Sequence, residues 1–365
     1  MPVAVETCPK VAILICIFTE SLSLVNMNKE VEMRINHSIL DSGTSLFFRQ
    51  ILIISTLLIM SICVSPFSAQ AFDIRLGTEE PGSFSYFSGR ILCRLINTQV
   101  EDVNCQQVPM VGDVDNLTNL QGGSLDVSLV DSRMLFDAIN KTGKFKFLDI
   151  SYENLRVVAP LYDVPVTLIV RNDAGINSLA DLKGTRINAG TPGSLQYQGV
   201  NTILKAKGWS RKDFSLVGDL PPIKSQDTKA FCYGTMQAMV YIGMHPDFSL
   251  RRLLKTCHGQ LLNMDDSDIS QLVSEHPEFW KLELAAGTYP SQPEKVVTFG
   301  TRAMLVASSD LDQETVYKIM EAIDKNKKRL AAAHPALSLF SVETARKSAS
   351  GIKLHPGSAR YLSDH

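Results

Sequence analysis

A chain of 365 residues that is 45% hydrophobic and 20% charged is long enough to bury one or two cores and too apolar to remain disordered. Its formal net charge of -2 argues against bulk nucleic-acid binding, which calls for a basic surplus or stripe. The densest basic run, Lys325, Lys327, Lys328 and Arg329, falls on a predicted helix and reads as a solvated face.

In chain order, the first feature is the apolar run ILIISTLLIMSICV, Ile51 to Val64, preceded by Arg49 and followed by Ala69 and Ala71 at small-residue positions. It predicts a secretory signal peptide cut after Ala71, with residues 1–71 as leader and Met27 and Met33 as alternative starts. The run is shorter than the roughly 20 residues a membrane span needs. Four cysteines follow the cut: Cys93, Cys105, Cys232 and Cys257. Export makes two disulfides the expectation; of the three pairings, the sequence-local Cys93–Cys105 and Cys232–Cys257 are favoured. No CxxC or HxxxH spacing occurs, so no metal is expected.

Short strand-like runs then alternate with helical periodicity, which predicts an α/β protein with a largely parallel sheet. Ile74 to Gly77 is the first strand, and the next helix would set Phe84, Phe87, Ile91 and Leu95 on one buried face. Cys105 to Met110 is the second strand, Val114, Leu117 and Leu120 mark a helix ended by Gly122 and Gly123, and Asp126 to Val130 is the third strand. A dense β-branched run, Val164 to Arg171, opens a second set. It includes a helix start at Ser178, a strand at Thr185 to Ala189, a Gly190 to Ser194 loop leading into a helix, and strands at FSLVG and QAMVYIG. Near the end, Asp310 with Gln313 is expected to cap a helix with the apolar stripe Val316, Ile319, Met320 and Ile323. A strand, Gly-containing loop and helix thus recur near residues 77 and 190, and two such loops could face each other across a cleft.

No GxSxG, HExxH, GxxxxGK[ST] or GxGxxG motif is present, and the seven histidines stand apart. The expectation is a binding protein without cofactor, not an enzyme.

The blocks GTEEPGSFSYFSG, INSLADLKGTRINAGTPGS, AFCYGTMQAMVYIGMHP, AAGTYPSQ, AAAHP and LHPGSARYL, in this order, resemble the TAXI family of solute receptors for TRAP transporters. The likeness runs across the whole mature chain, and GTYP, AAHP and LHPG are its most specific parts. It implies a periplasmic, monomeric receptor of the two-lobed, type II binding-protein fold, with the ligand cleft between the lobes. The lobes would be residues 72–163 with 308–365, and 164–307. Such a receptor closes over a small polar, amino-acid-like or carboxylate-bearing solute and docks on ion-driven TRAP membrane permease subunits. The cysteine positions also resemble family members with two local disulfides. A ligand sensor or a two-lobed enzyme would share this scaffold.

Carried over position by position, the first loop keeps Gly77, Thr78, Gly82 and Tyr86, with Glu79 and Glu80 replacing a glycine pair of the family's GTGGTGGVYYP. An STGGS turn becomes PMVGD, keeping Gly112 and ending in Asp113, and a QSD block becomes Asp131, Ser132 and Arg133. The second-lobe loop keeps Gly190, Thr191, Pro192, Gly193 and Ser194. Tyr241, His245 and Pro246 match a YTVGHP block in which Met244 replaces glycine, and Gly287, Thr288 and Tyr289 match the block closing the pocket from the other side.

The departures make the first wall more negative. Two charges about 4 Å apart interact by roughly 1 kcal/mol in water and about 4 kcal/mol near a protein surface. A simple dicarboxylate should therefore bind less well than a solute with a cationic part whose carboxylate meets Arg133 or the Thr191 to Ser194 loop. The competing reading leaves Glu79 and Glu80 in solvent at a helix start and Asp113 as an N-cap. It also pairs Arg133 with Asp131 or Asp137, and makes Tyr86, Tyr241, Met244 and His245 packing residues.

Overall fold

The computed structural model describes residues 72–221, 226–348 and 352–365. The leader, its apolar run and the cleavage point after Ala71 lie outside the described residues. Ten strands form one mixed sheet: β1 (Phe72–Thr78), β2 (Val103–Pro109), β3 (Val127–Asp131), β4 (Leu155–Arg171), β5 (Arg186–Asn188), β6 (Leu216–Gly218), β7 (Ala238–Ile242), β8 (Gly259–Leu261), β9 (Trp280–Leu284) and β10 (Val296–Ser308). Their order is β2-β1-β3-β10-β4-β7-β5-β6, with β8 beside β4 and β9 beside β10.

The sheet is parallel only toward its two ends, where β1 pairs with β2 and β3, and β5 pairs with β6 and β7. Its middle is antiparallel, built on β4 against β10, each with further antiparallel neighbours. The expected largely parallel sheet is corrected here. The sequence reading began this strand only at Val164, whereas β4 runs from Leu155 and carries Pro160, a residue interior strands seldom hold. A register shift against β10 near Ala303 and Met304 falls beside Pro160, where an irregular ladder tolerates the missing N–H.

The helices that position the site are α1 (Phe84–Gln99), α2 (Asp113–Gln121), α3 (Ser132–Asn140), α4 (Leu195–Ala206), α5 (Gln226–Cys232) and α6 (Phe248–Thr256). After them come α7 (Ser267–Glu275), α8 (Gln313–Lys325), α9 (Lys327–Ala333), α10 (Val342–Lys347) and α11 (Pro356–Asp364). On α1 the buried face is Ser85, Ser88, Gly89, Leu92, Cys93, Leu95 and Ile96, so of the expected Phe84, Phe87, Ile91 and Leu95 only Leu95 is fully in it, while Phe84 and Ile91 pack partly buried at its flank. Small residues win there because the helix lies close on the sheet: a Cβ on Gly89 would strike Thr78 and Leu76. The α8 stripe of Val316, Ile319, Met320 and Ile323 is fully buried. Its cap is Asp312, which accepts from the Thr315 N–H at 2.7 Å, and not Asp310. Asp312→Ala is expected to cost about 1 kcal/mol, read from denaturant melts.

Both disulfides follow the favoured pairing. Cys93 of α1 joins Cys105 of β2, and Cys232 at the end of α5 joins Cys257 just past α6. The exposed Lys325 and Lys327 pair with Glu321 and Asp324 one turn away, as a solvated face does.

Apolar packing divides along the two long strands. Leu155 to Tyr162 of β4 and Ala303 to Ala307 of β10 pack into cores with α1, α2, α3 and α8, whereas Val166 to Val170 of β4 and Val296 and Phe299 of β10 pack into cores with α4, α6 and α7. The chain therefore crosses between two core regions at Asp163–Pro165 and at Gly300–Arg302. Among the described residues no helix is long and apolar enough to cross a membrane.

Candidate functional site

A cavity of about 330 Å³ opens over these crossings. Strand alternation supplies its floor: Tyr162, Val164 and Val166 of β4 and Phe299, Thr301 and Ala303 of β10 point to one face. One wall comes from the C-terminal ends of β1 and β3 and the helices after them: Glu79, Phe84 and Ser85, Asp113 of α2, Asp131, and Arg133 and Met134 of α3. The opposite wall is Leu195, Gln198, Gly199 and Thr202 of α4, then Tyr241, Met244, Asp247 and Phe279.

The lining holds four carboxylates, Glu79, Asp113, Asp131 and Asp247, against one guanidinium, Arg133. Asp131 is the N-cap of α3: its side chain accepts from the Arg133 N–H at 2.9 Å and from the Thr301 hydroxyl. Asp113 accepts from the Asp131 N–H at 3.2 Å. Burial holds the Asp113 carboxyl well above the usual carboxylate range, and the charges of Asp131 and Glu79 add to this. Glu79 is raised by the same two causes, burial first and then Asp131. Asp131 is raised by burial, against the opposing bonds from Thr301 and Arg133. The Tyr162 hydroxyl is likewise pushed up, by burial and then by the charge of Glu79. Three carboxyls thus share a poorly solvated wall that a cation would relieve. The Arg133 guanidinium stands 5.7 Å from the centre of the Phe279 ring, within cation–π range.

Of the residues singled out from sequence, the structure brings Glu79, Asp113, Asp131, Arg133 and Tyr241 together around the cavity. Glu80 is exposed, so the solvent reading holds for it and not for Glu79. Asp113 is not the N-cap of α2; Gly112 holds that place and Asp113 begins the helix. Arg133 meets Asp131 through its backbone N–H, and Asp137 instead accepts from the Thr142 hydroxyl at 2.6 Å.

Other candidates do not line the cavity, each for a local reason. Gly77 and Thr78 are buried in β1, where a Cβ on Gly77 would strike Leu125, Asn116 and Ser128. Tyr86 of α1 is not among the lining residues, and its backbone carbonyl accepts from the Gln107 side chain at 2.8 Å. Ser132 is buried, donating to the Glu278 carbonyl and accepting from the Arg302 N–H, both at 3.1 Å. The Thr191, Pro192, Gly193, Ser194 turn is used in starting α4: the Thr191 carbonyl accepts from the Ser194 N–H at 3.0 Å, and the Ser194 hydroxyl accepts from the Tyr197 N–H at 3.2 Å. Its helix, not the loop, faces the cavity. Thr288 bonds the Ala285 carbonyl at 2.7 Å, and Tyr289 is fully buried behind the wall.

The sequence reading missed Tyr162, Thr301, Gln198, Thr202, Asp247 and Phe279. A longer β4 would have exposed the 162, 164, 166 alternation, and Gln198 with Thr202 sits at a helical i, i+4 spacing. Phe279 has no local signal. Among the described residues no group of three His, Cys, Asp or Glu side chains could hold a metal ion.

Solved structures similar to this chain include two binding proteins and PhnD1. The periplasmic aliphatic sulphonate binding protein SsuA from Escherichia coli is 16% identical, with 80% of this chain and 78% of that one covered at a TM-score of 0.42. A TctC solute binding protein from Polaromonas is 14% identical, with 80% and 96% covered at 0.48. PhnD1 from Prochlorococcus marinus, in complex with methylphosphonate, is 14% identical, with 74% and 92% covered at 0.43. The NMT1-like family matches residues 76–365, from the middle of β1 to the last residue, and the chain belongs to that family.

Proposed function

We propose that the protein is a periplasmic solute receptor of the TAXI type, which captures a small polar solute and delivers it to the membrane subunits of a TRAP transporter. Its lobes are residues 72–163 with 308–365, and 164–307, and it acts as a monomer that binds without turnover. It is not an enzyme. The observation that carries this reading is the cavity at the strand crossings, lined from both core regions. A solute bridging the two walls favours the closed arrangement by whatever affinity it gains there over the open one. Two disulfides suit an exported chain.

The charges of the lining support one solute class. With four carboxylates facing one guanidinium, the solute carries an ammonium group, as an amino acid does, with its amine toward Glu79, Asp113 and Asp131 and any carboxylate toward Arg133. A thermal-melt screen against dicarboxylates, acidic, neutral and basic amino acids, and polyamines tests this. A solute at 100 times its dissociation constant adds about 2.7 kcal/mol, a shift of several degrees for a chain of this size. The expected hits carry an ammonium group and are lost in Glu79→Gln. A shift with dicarboxylates alone defeats the assignment of solute class, and no shift with any solute defeats the receptor reading.

A further inference from the structure

Behind Tyr241, Met244 and Asp247 runs a buried chain of polar groups that does not itself line the cavity. The Tyr289 hydroxyl, 0% exposed, accepts from the Asp247 backbone N–H at 2.9 Å and stands 2.6 Å from His245 Nδ1. His245 Nε2 stands 2.8 Å from Thr167 Oγ1. Valence orders the protons. The Asp247 N–H can only donate, so among the described partners of Tyr289 its hydroxyl proton has one acceptor, His245 Nδ1. The imidazole proton then sits on Nε2 and donates to Thr167. Burial keeps the ring neutral, as this requires, by pushing its pKa down to about 3.

This chain grips a tight turn. The His245 ring packs edge-on against Tyr241 and Tyr289, with centroids 5.4 and 5.6 Å apart. A Cβ on Gly243 would come within 2.7 Å of the Tyr241 hydroxyl oxygen. Asp247 spends one carboxylate oxygen on the Leu250 N–H at 2.7 Å, starting α6. Thr167 lies on β4 opposite Tyr241, so the turn is tied to a crossing strand.

We propose that Tyr289 and His245 are positioning residues for solute capture: their ordered hydrogen bonds fix the turn from Tyr241 to Asp247 and thereby aim both of those side chains into the cavity. The proposal rests on the reading of the cavity as the solute site.

Tyr289→Phe removes the hydroxyl and keeps the ring. Tyr152→Phe, which removes a 3.1 Å bond to Thr118 away from the cavity, is the control for lost stability alone. Nitrogen NMR of the histidines should show His245 protonated on Nε2 in the parent protein. Tyr289→Phe should speed Asp247 amide exchange and weaken L-lysine binding, each by about tenfold, while Tyr152→Phe leaves both unchanged. Parent-like Asp247 exchange or parent-like L-lysine affinity in Tyr289→Phe overturns the proposal, as does an Nδ1–H tautomer in the parent. If the parent binds neither L-lysine nor any other ammonium-bearing solute of the screen while Tyr289→Phe still speeds Asp247 exchange, the choice of solute class fails and the hold of Tyr289 on the turn stands.

Discussion

Gly300→Ala is expected to destabilise the protein by about 3 kcal/mol, at the upper end of what one added methyl group does in a packed interior. Gly300 is where β10 passes the crossing, with Pro165 of β4 on one side and Trp280 of β9 on the other. A Cβ there would meet the Val164 carbonyl oxygen, the Pro165 Cα at 2.8 Å and the Leu282 side chain at 2.8 Å. Two of these three are backbone of the partner strand and cannot swing aside, so β4 and β10 would have to separate. The flanking Phe299 and Thr301 face the cavity, and binding should weaken with stability. Gly112→Ala is the contrasting case: its φ of 172° is extended and nothing lies within 4 Å of a Cβ. Only the poorer N-cap remains as a cost there, under about 1 kcal/mol. Urea melts of the two variants decide the matter; equal stabilities would show that the strands do not approach this closely.

Asp113→Asn is expected to stabilise the protein at neutral pH and to weaken binding of an ammonium-bearing solute by about tenfold or more. The sign follows from the raised carboxyl. A group that holds its proton more tightly folded than unfolded makes the folded state lose stability as pH rises from the ordinary carboxylate range through the raised value. Above that window the loss is complete, and below it the loss is absent. Asparagine keeps an oxygen for the Asp131 N–H but never ionises beside Glu79 and Asp131. Melts from pH 4 to pH 8 should show the variant ahead of the parent at the alkaline end and the gap closing toward the acid end. L-lysine titrations should show the opposite ranking in affinity. A variant less stable than its parent at pH 8 would mean that the ionised carboxyl is well compensated, and that the wall is not waiting for a cation.

The local elements were legible where their signals are local. The strand ends near Gly77 and Asn188, the α8 stripe and the helix start at Ser194 follow from periodicity and capping chemistry, and the favoured one of three cysteine pairings is the one that forms. Errors came where a distant partner overrides a local preference. Pro160 argues against an interior strand until β10 is laid alongside with its register shift. The phenylalanines of α1 look like its core face until the sheet demands Ser85, Ser88 and Gly89 at close range.

The same division holds for the site. The family resemblance, carried over residue by residue, set Glu79, Glu80, Asp113 and Asp131 on one wall, and the structure brings Glu79, Asp113 and Asp131 together there. Sequence also favoured the cysteine pairs that form and marked the loop-to-helix turn at Ser194. Only the tertiary structure decided that Glu79 turns inward while Glu80 faces solvent, and that α4 presents Gln198 and Thr202 where the preceding loop was expected. It also seated Tyr289 behind the wall instead of in it. The physical reason is that hydrogen-bonded caps and strand alternation are set by neighbours in sequence, whereas which side chains meet across a cavity is set by the crossing of β4 and β10, strands whose paired residues stand more than a hundred positions apart.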